Sequence, residues 1–328
     1  MKLLVPSLAG LLASLSVSRP VQAAALARTP QNSPPRRADS SADEQYNYIA
    51  GLFEKGFHDL VVTESRKFLA ANANHPRAPL VRYRLGQSLF ELKKFADAKA
   101  ELSKLEPAPK DFQYAVEVAF RLGQCSLELG DTADAAKRFD AIAQSSEDAG
   151  HYLVPAAAFH AGEAHFKSGE YAAAAKAYGK AVQSSDPEYS KNALYGLGWA
   201  LYKGGEFEPA AATFELFTKK HGQDPAAGEA QFLLGECRLK AGKPAEALAA
   251  FQKVPQGEWF DDALSAAGFA CAALKDDAKA AQWFLRLEQT TPDSPLLPEA
   301  RLHAGIHLQK AARDDDAAAV LDLSLIHI

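Results

Sequence analysis

Residues 85–102 read LGQSLFELKKFADAKAEL, and three of them set the pattern for most of the chain: Gly86, Ala98 twelve places on, and Leu102 sixteen places on. The glycine recurs in an apolar, small-residue context at Gly123, Gly162, Gly198, Gly235, Gly268 and Gly305, at spacings of 37, 39, 36, 37, 33 and 37. The alanine recurs as Ala135, Ala174, Ala210, Ala247, Ala280 and Ala317. The large residue recurs as Phe139, Tyr178, Phe214, Phe251, Phe284 and Leu321. Three columns kept through seven copies define a repeat array.

Each copy reads as two helices joined by a tight turn. Breakers separate the copies at Pro76 and Pro79, Pro107 and Pro109, Pro187, Pro225, and Pro292 and Pro295. Within copies, Gly130-Asp131, Gly169-Glu170, Gly204-Gly205 and Gly242-Lys243 mark the turns. A glycine and an alanine at fixed register let the two helices of a hairpin cross closely, where a larger side chain would hold the backbones apart. Each helix has one apolar face that only a neighbour can cover, so the copies must stack. An earlier, degenerate copy is expected before the first, with Val61 in the alanine column and Phe68 closing its second helix. The fold expected is all-α, an array of seven to eight antiparallel hairpins over residues 45–322.

These columns resemble the tetratricopeptide repeat, which implies a right-handed α-solenoid that binds partner proteins on its concave face. The tryptophan expected four before the glycine is missing in every copy. An aromatic stands three before it instead, at Tyr83, Phe120, Phe159, Tyr195 and Phe232, lapsing to Ser265 and Leu302. The segment FLAANANHPRAPLVRYRLGQSLFELKKFADA (residues 68–98) is similar to periplasmic repeats of the Tol–Pal-associated cell-division coordinator and of the outer-membrane β-barrel assembly lipoprotein. That resemblance implies a scaffold of the bacterial cell envelope, in division or outer-membrane assembly. The coordinator's N-terminal heptads and the lipoprotein's lipidated cysteine both lack a counterpart here.

The ends read differently from the array. Residues 1–23 have a positive Lys2, an apolar run from Leu3 to Val17 and the small-residue pattern Val21-Gln22-Ala23, the marks of a cleaved export signal. Residues 24–44 are polar and proline-containing, and are expected to form a disordered tether. Residues 323–328, LSLIHI, break the second-helix pattern and equal the translation of a transposon end used in sequencing libraries. They read as a non-native tail, with the true chain continuing past 322. Two alternatives follow: the array is the docking arm of a larger enzyme, or it stacks end to end as a homo-oligomer.

Composition narrows the chemistry. With 48% apolar and 23% charged residues the chain can bury a core, and a formal charge of -5 argues against a nucleic-acid binder. Cys125 and Cys237 fill a small-residue slot two after the glycine; a Cys237–Cys271 bridge is the one pairing that neighbouring repeats would allow. His303 and His307 are four apart on one first helix but have no third ligand, so both are expected to pack. Gly235 to Gly242-Lys243 has the wrong spacing for a phosphate loop, and no nucleophile elbow occurs. No catalytic residue, cofactor, metal or small-molecule substrate is expected.

What remains is the face lined by first helices. One place after the glycine stand Gln87, Gln124, Glu163, Trp199, Glu236, Phe269 and Ile306. Five places after it stand Glu91, Glu128, Lys167, Lys203, Lys240, Ala273 and Lys310. The protein-binding groove is therefore assigned to Gln87, Gln124, Glu163, Trp199, Glu236, Lys167, Lys203 and Lys240. Its mouth should be acidic towards the N-terminus and basic in the middle, orienting an extended partner segment. Trp199 is the candidate anchor.

Overall fold

The computed structural model describes residues 37–109, 111–145 and 150–325. The chain divides into two compact units, residues 1–44 and 45–328. Of the first unit only its helical end, from residue 37, is described, so the expected export signal lies outside the described residues. The tether reading is corrected at its end: residues 37–44 belong to helix α1 (Arg37–Glu54). After Pro35 no proline or glycine intervenes until Gly51, and the acids Asp39, Asp43 and Glu44 suit an early helix turn.

The second unit is helical throughout its described residues, in eight consecutive hairpins. Helix α1 pairs with α2 (His58–Ala71). Then come α3 (Ala78–Glu91) with α4 (Phe95–Leu102), the latter prolonged by a 3₁₀ turn, and α5 (Ala115–Glu128) with α6 (Thr132–Gln144). The fourth and fifth hairpins are α7 (Val154–Lys167) with α8 (Tyr171–Ala181), and α9 (Pro187–Lys203) with α10 (Phe207–Lys220). The last three are α11 (Ala227–Lys240) with α12 (Pro244–Phe251), α13 (Phe260–Ala273) with α14 (Asp277–Thr290), and α15 (Leu297–Lys310) with α16 (Asp314–Leu325). From α2 onward each helix packs on the next in sequence, and first helices also touch across the junctions at α3–α5, α5–α7, α7–α9 and α11–α13. The contacts are therefore local in sequence, as a stacked array requires.

Glycine has a more specific task than holding backbones close. A Cβ placed on any of the seven repeat glycines would lie under 3.0 Å from the large side chain sixteen residues on: Leu102, Phe139, Tyr178, Phe214, Phe251, Phe284 or Leu321. The first helix thus offers a socket, and the second helix of the same hairpin plugs it. The alanine column is buried in every copy, from Ala98 at 0% to Ala317 at 4% exposure. In the degenerate first hairpin the two sizes are exchanged. Ile49 stands in the glycine column and Ser65 in the plug column, and both are fully buried. Val61 and Phe68 are buried there as expected.

The turn inside every hairpin also repeats. Seven places after the glycine column the backbone enters the left-handed region, at Gly56, Gly130, Gly169, Gly205 and Gly242, and at the non-glycine residues Lys93, Lys275 and Ala312. The next residue's N–H bonds back five places, as in Asp131 to Ser126 (2.8 Å) and Asp276 to Cys271 (3.0 Å). This is the Schellman closure, which satisfies the carbonyls left open at a helix end.

Candidate functional site

On a helix, positions 4, 7 and 11 residues apart return to one face. The first helices carry such a stripe at six before the glycine, one after it and five after it. The outermost position is the rim: Glu91, Glu128, Lys167, Lys240 and Lys310 are exposed and Lys203 is half-buried. The Lys203 ammonium lies 5.6 Å from the Trp199 ring centre. That of Lys240 lies 5.7 Å and 5.9 Å from Phe207 and Tyr202.

One position inward the side chains turn away from solvent. Gln87 is half-buried and its Nε2 donates to the Tyr83 hydroxyl at 2.5 Å. Gln124 is 9% exposed, and its Oε1 is buried without a hydrogen-bond partner. Glu163 is 6% exposed and accepts from His160 Nδ1 at 2.5 Å, leaving His160 Nε2 without a partner. Trp199 is 5% exposed and packs within the cluster of Tyr195, Tyr202, Phe214 and Phe217. The structure therefore places the candidate anchor in the core, in a cluster drawn mainly from the fifth and sixth hairpins. Glu236 is half-buried, and burial raises its carboxyl pKa, with Asp262 adding to the effect and Lys240 opposing it. The groove residues thus divide into a charged rim and a polar, largely buried floor.

The position six before the glycine escaped the sequence reading. It holds Glu117, Glu229, Asp262 and Glu299 in four of seven copies. Glu229 is 7% exposed, with Oε1 buried and unpartnered. Burial and the Glu229 carboxylate together raise the pKa of the Tyr195 hydroxyl in the preceding hairpin. Burial raises the Glu229 carboxyl pKa, and Glu258 adds to the shift. Glu117 repeats the condition two helices after Tyr83: Oε1 accepts from the Tyr152 hydroxyl at 3.2 Å, and Oε2 is buried without a partner. Both of these glutamates follow a hairpin whose aromatic column holds tyrosine. Where that column holds Phe120, Phe159 or Phe232, the position is Ala156, Asn192 or Asp262. This pairing of tyrosine with glutamate was readable in the sequence, two turns upstream of the residues singled out there.

The remaining polar candidates pack. The aromatic column is core, from Phe159 at 1% to Phe232 at 8% exposure. His307 bonds through Nδ1 to Asp277 at 2.6 Å, and His303 stacks on Phe284. The three cysteines are free and buried; burial pushes the Cys125 and Cys237 thiols up to about 11 and about 12. Among the described residues no three His, Cys, Asp or Glu side chains are grouped to hold a metal ion, and no helix is long and apolar enough to cross a membrane.

The tetratricopeptide repeat model matches residues 120–193 and 195–261. In fold the chain is similar to the C-terminal part of a TPR repeat-containing protein from Cytophaga hutchinsonii. That match has a TM-score of 0.57 and 16% identity and covers 78% of this chain and 98% of that one. The apo form of RapI aligns with a TM-score of 0.50 and 9% identity, covering 88% and 86%. A tetratricopeptide repeat protein from Parabacteroides merdae aligns with a TM-score of 0.49 and 16% identity, covering 80% and 97%. No curated protein matches the chain. In fold the molecule is a tetratricopeptide-repeat α-solenoid.

Proposed function

We propose that the protein is an exported, non-catalytic scaffold of the bacterial cell envelope that captures an extended segment of a partner protein along its first helices. The observation that carries this reading is the stripe itself. It sets a charged, exposed rim beside a polar floor in one register along α3, α5, α7 and α11, with Trp199 interrupting the floor on α9. A partner lying across those four helices meets that arrangement on each, which suits an extended chain. The export signal read in residues 1–23 and the resemblance to periplasmic repeats support the location, with Tol–Pal-linked division or outer-membrane assembly as the setting.

The test is site-specific photo-crosslinking of the full chain in its bacterial host. Probes at Gln87, Lys167 and Glu236 lie on the stripe, and probes at Lys176 and Gln282 lie exposed on second helices. Crosslinks to a protein partner from the stripe positions, recovered from the periplasmic fraction, are the expected result. Crosslinks confined to Lys176 and Gln282, or recovery of the chain in the cytosol, would overturn the reading.

A further inference from the structure

Three carboxylates lie on the first helices of the sixth and seventh hairpins. Glu229 and Glu236 lie seven residues apart on α11, two turns along one face, and Asp262 lies in the first turn of α13. None of the three forms an ion pair with a lysine or arginine among the described residues, although Lys240 lies one turn beyond Glu236. Their surroundings add negative charge: Asp262 acts on Glu236, Asp261 acts on Asp262, and Glu258 acts on Glu229. Glu229 is more than nine-tenths buried, and its Oε1 has no donor at all. A carboxylate oxygen removed from water with no donor is a costly arrangement, and a charged donor is the group that relieves it best.

The spacing says which cation. The carboxylates are not grouped closely enough to enter one ion's coordination shell. Charges strung along two neighbouring helices match charges strung along one peptide. We propose that this face of the sixth and seventh hairpins binds a basic segment of a partner protein, its lysine or arginine side chains set against Glu229, Glu236 and Asp262. The assignment rests on the scaffold reading above and gives its partner a chemistry. The middle of the stripe is thus basic only at its rim, at Lys203 and Lys240, and acidic on its floor.

The experiment measures binding of a labelled oligolysine peptide to the full chain by fluorescence anisotropy. Oligoglutamate and neutral Gly-Ser peptides of equal length serve as comparisons, with magnesium ion as competitor. The triple variant Glu229→Gln, Glu236→Gln, Asp262→Asn should bind oligolysine at least about tenfold more weakly. Glu229→Gln conserves side-chain volume, and a thermal melt reports whether the triple variant folds. Should it not fold, Glu236→Gln alone, at a half-buried site, should still weaken binding by about threefold. A charge-matched control, Asp314→Asn, Asp315→Asn, Asp316→Asn, alters exposed residues in the first turn of α16, in the last hairpin, and should leave affinity unchanged.

Equal weakening by both triple variants, displacement by magnesium, or a preference for oligoglutamate would overturn the assignment. If the neutral or acidic peptide binds and oligolysine does not, this assignment falls while the scaffold stands. If no peptide binds, both fall.

Discussion

The ring of Tyr178 is held between two glycines. A Cβ on Gly162 of its own hairpin would fall 2.6 Å from it, and one on Gly196 of the next hairpin 2.7 Å. The ring is 1% exposed and has no room to retreat. Gly179, the next residue along α8, has nothing within 4 Å of its Cβ position. The same substitution should therefore act in opposite directions. Gly162→Ala should destabilise by about 1–2 kcal/mol, overpacking of about 1–3 kcal/mol outweighing a helix-propensity gain of up to about 1 kcal/mol. Gly179→Ala should stabilise by up to about 1 kcal/mol. Urea unfolding of the two variants beside the parent measures both signs. The glycine column was plain in the sequence, but its partner was not: spacing gave the columns, whereas plug and socket appear only once the hairpin closes. Trp199 shows the opposite limit. A large aromatic on a ligand-facing register reads the same whether it points out or in, and the cluster supplied by the next hairpin decides.

Between elements, His165 joins the third hairpin to the fourth. Its Nε2 bonds to Asp140 on α6 at 2.9 Å, and its Nδ1 to Glu170 at the turn into α8 at 2.6 Å. Burial lowers the imidazole pKa, but the two carboxylates outweigh it and the net shift is upward from 6.5. A group whose folded pKa exceeds its unfolded value stabilises fully below the unfolded value, and this is lost as pH rises through the folded one. The melting temperature of the parent should therefore fall as pH is raised from about 6 to about 9. In His165→Asn that part of the slope should disappear. Equal slopes in both proteins would show that the pair does not couple the hairpins. None of this was legible beforehand, because Asp140 and His165 stand 25 residues apart and belong to different repeats.

Along the whole array, eight turns share one backbone conformation and five of them use glycine for it. Lys93, Lys275 and Ala312 adopt φ of 58°, 62° and 56° with a side chain in place. A left-handed residue with a Cβ costs roughly 1–2 kcal/mol that glycine avoids. Replacing each by glycine should raise stability by about 1 kcal/mol. The three sites lie in hairpins two, seven and eight, and Lys93 is far from the other two in sequence. The gains of Lys93→Gly and Lys275→Gly should add within about 0.5 kcal/mol, as denaturant unfolding of the single and double variants will show. A shortfall well beyond that would mean that the array does not behave as locally independent units. The number and order of the hairpins were readable from column spacing. The start of α1 was not, because polar residues after Pro35 look alike whether or not a neighbouring hairpin extends a helix into them.

The plug-and-socket pairs also bear on how such a gene can change length. In seven hairpins glycine and plug lie within one repeat unit, so unequal recombination between copies would carry both halves together and leave each hairpin intact. The joint between the fourth and fifth hairpins is the exception, since Gly196 receives the ring of Tyr178 from the preceding unit. A duplication or deletion with its breakpoint there would separate a ring from half its seat. That junction is one place where the order of the units is keyed.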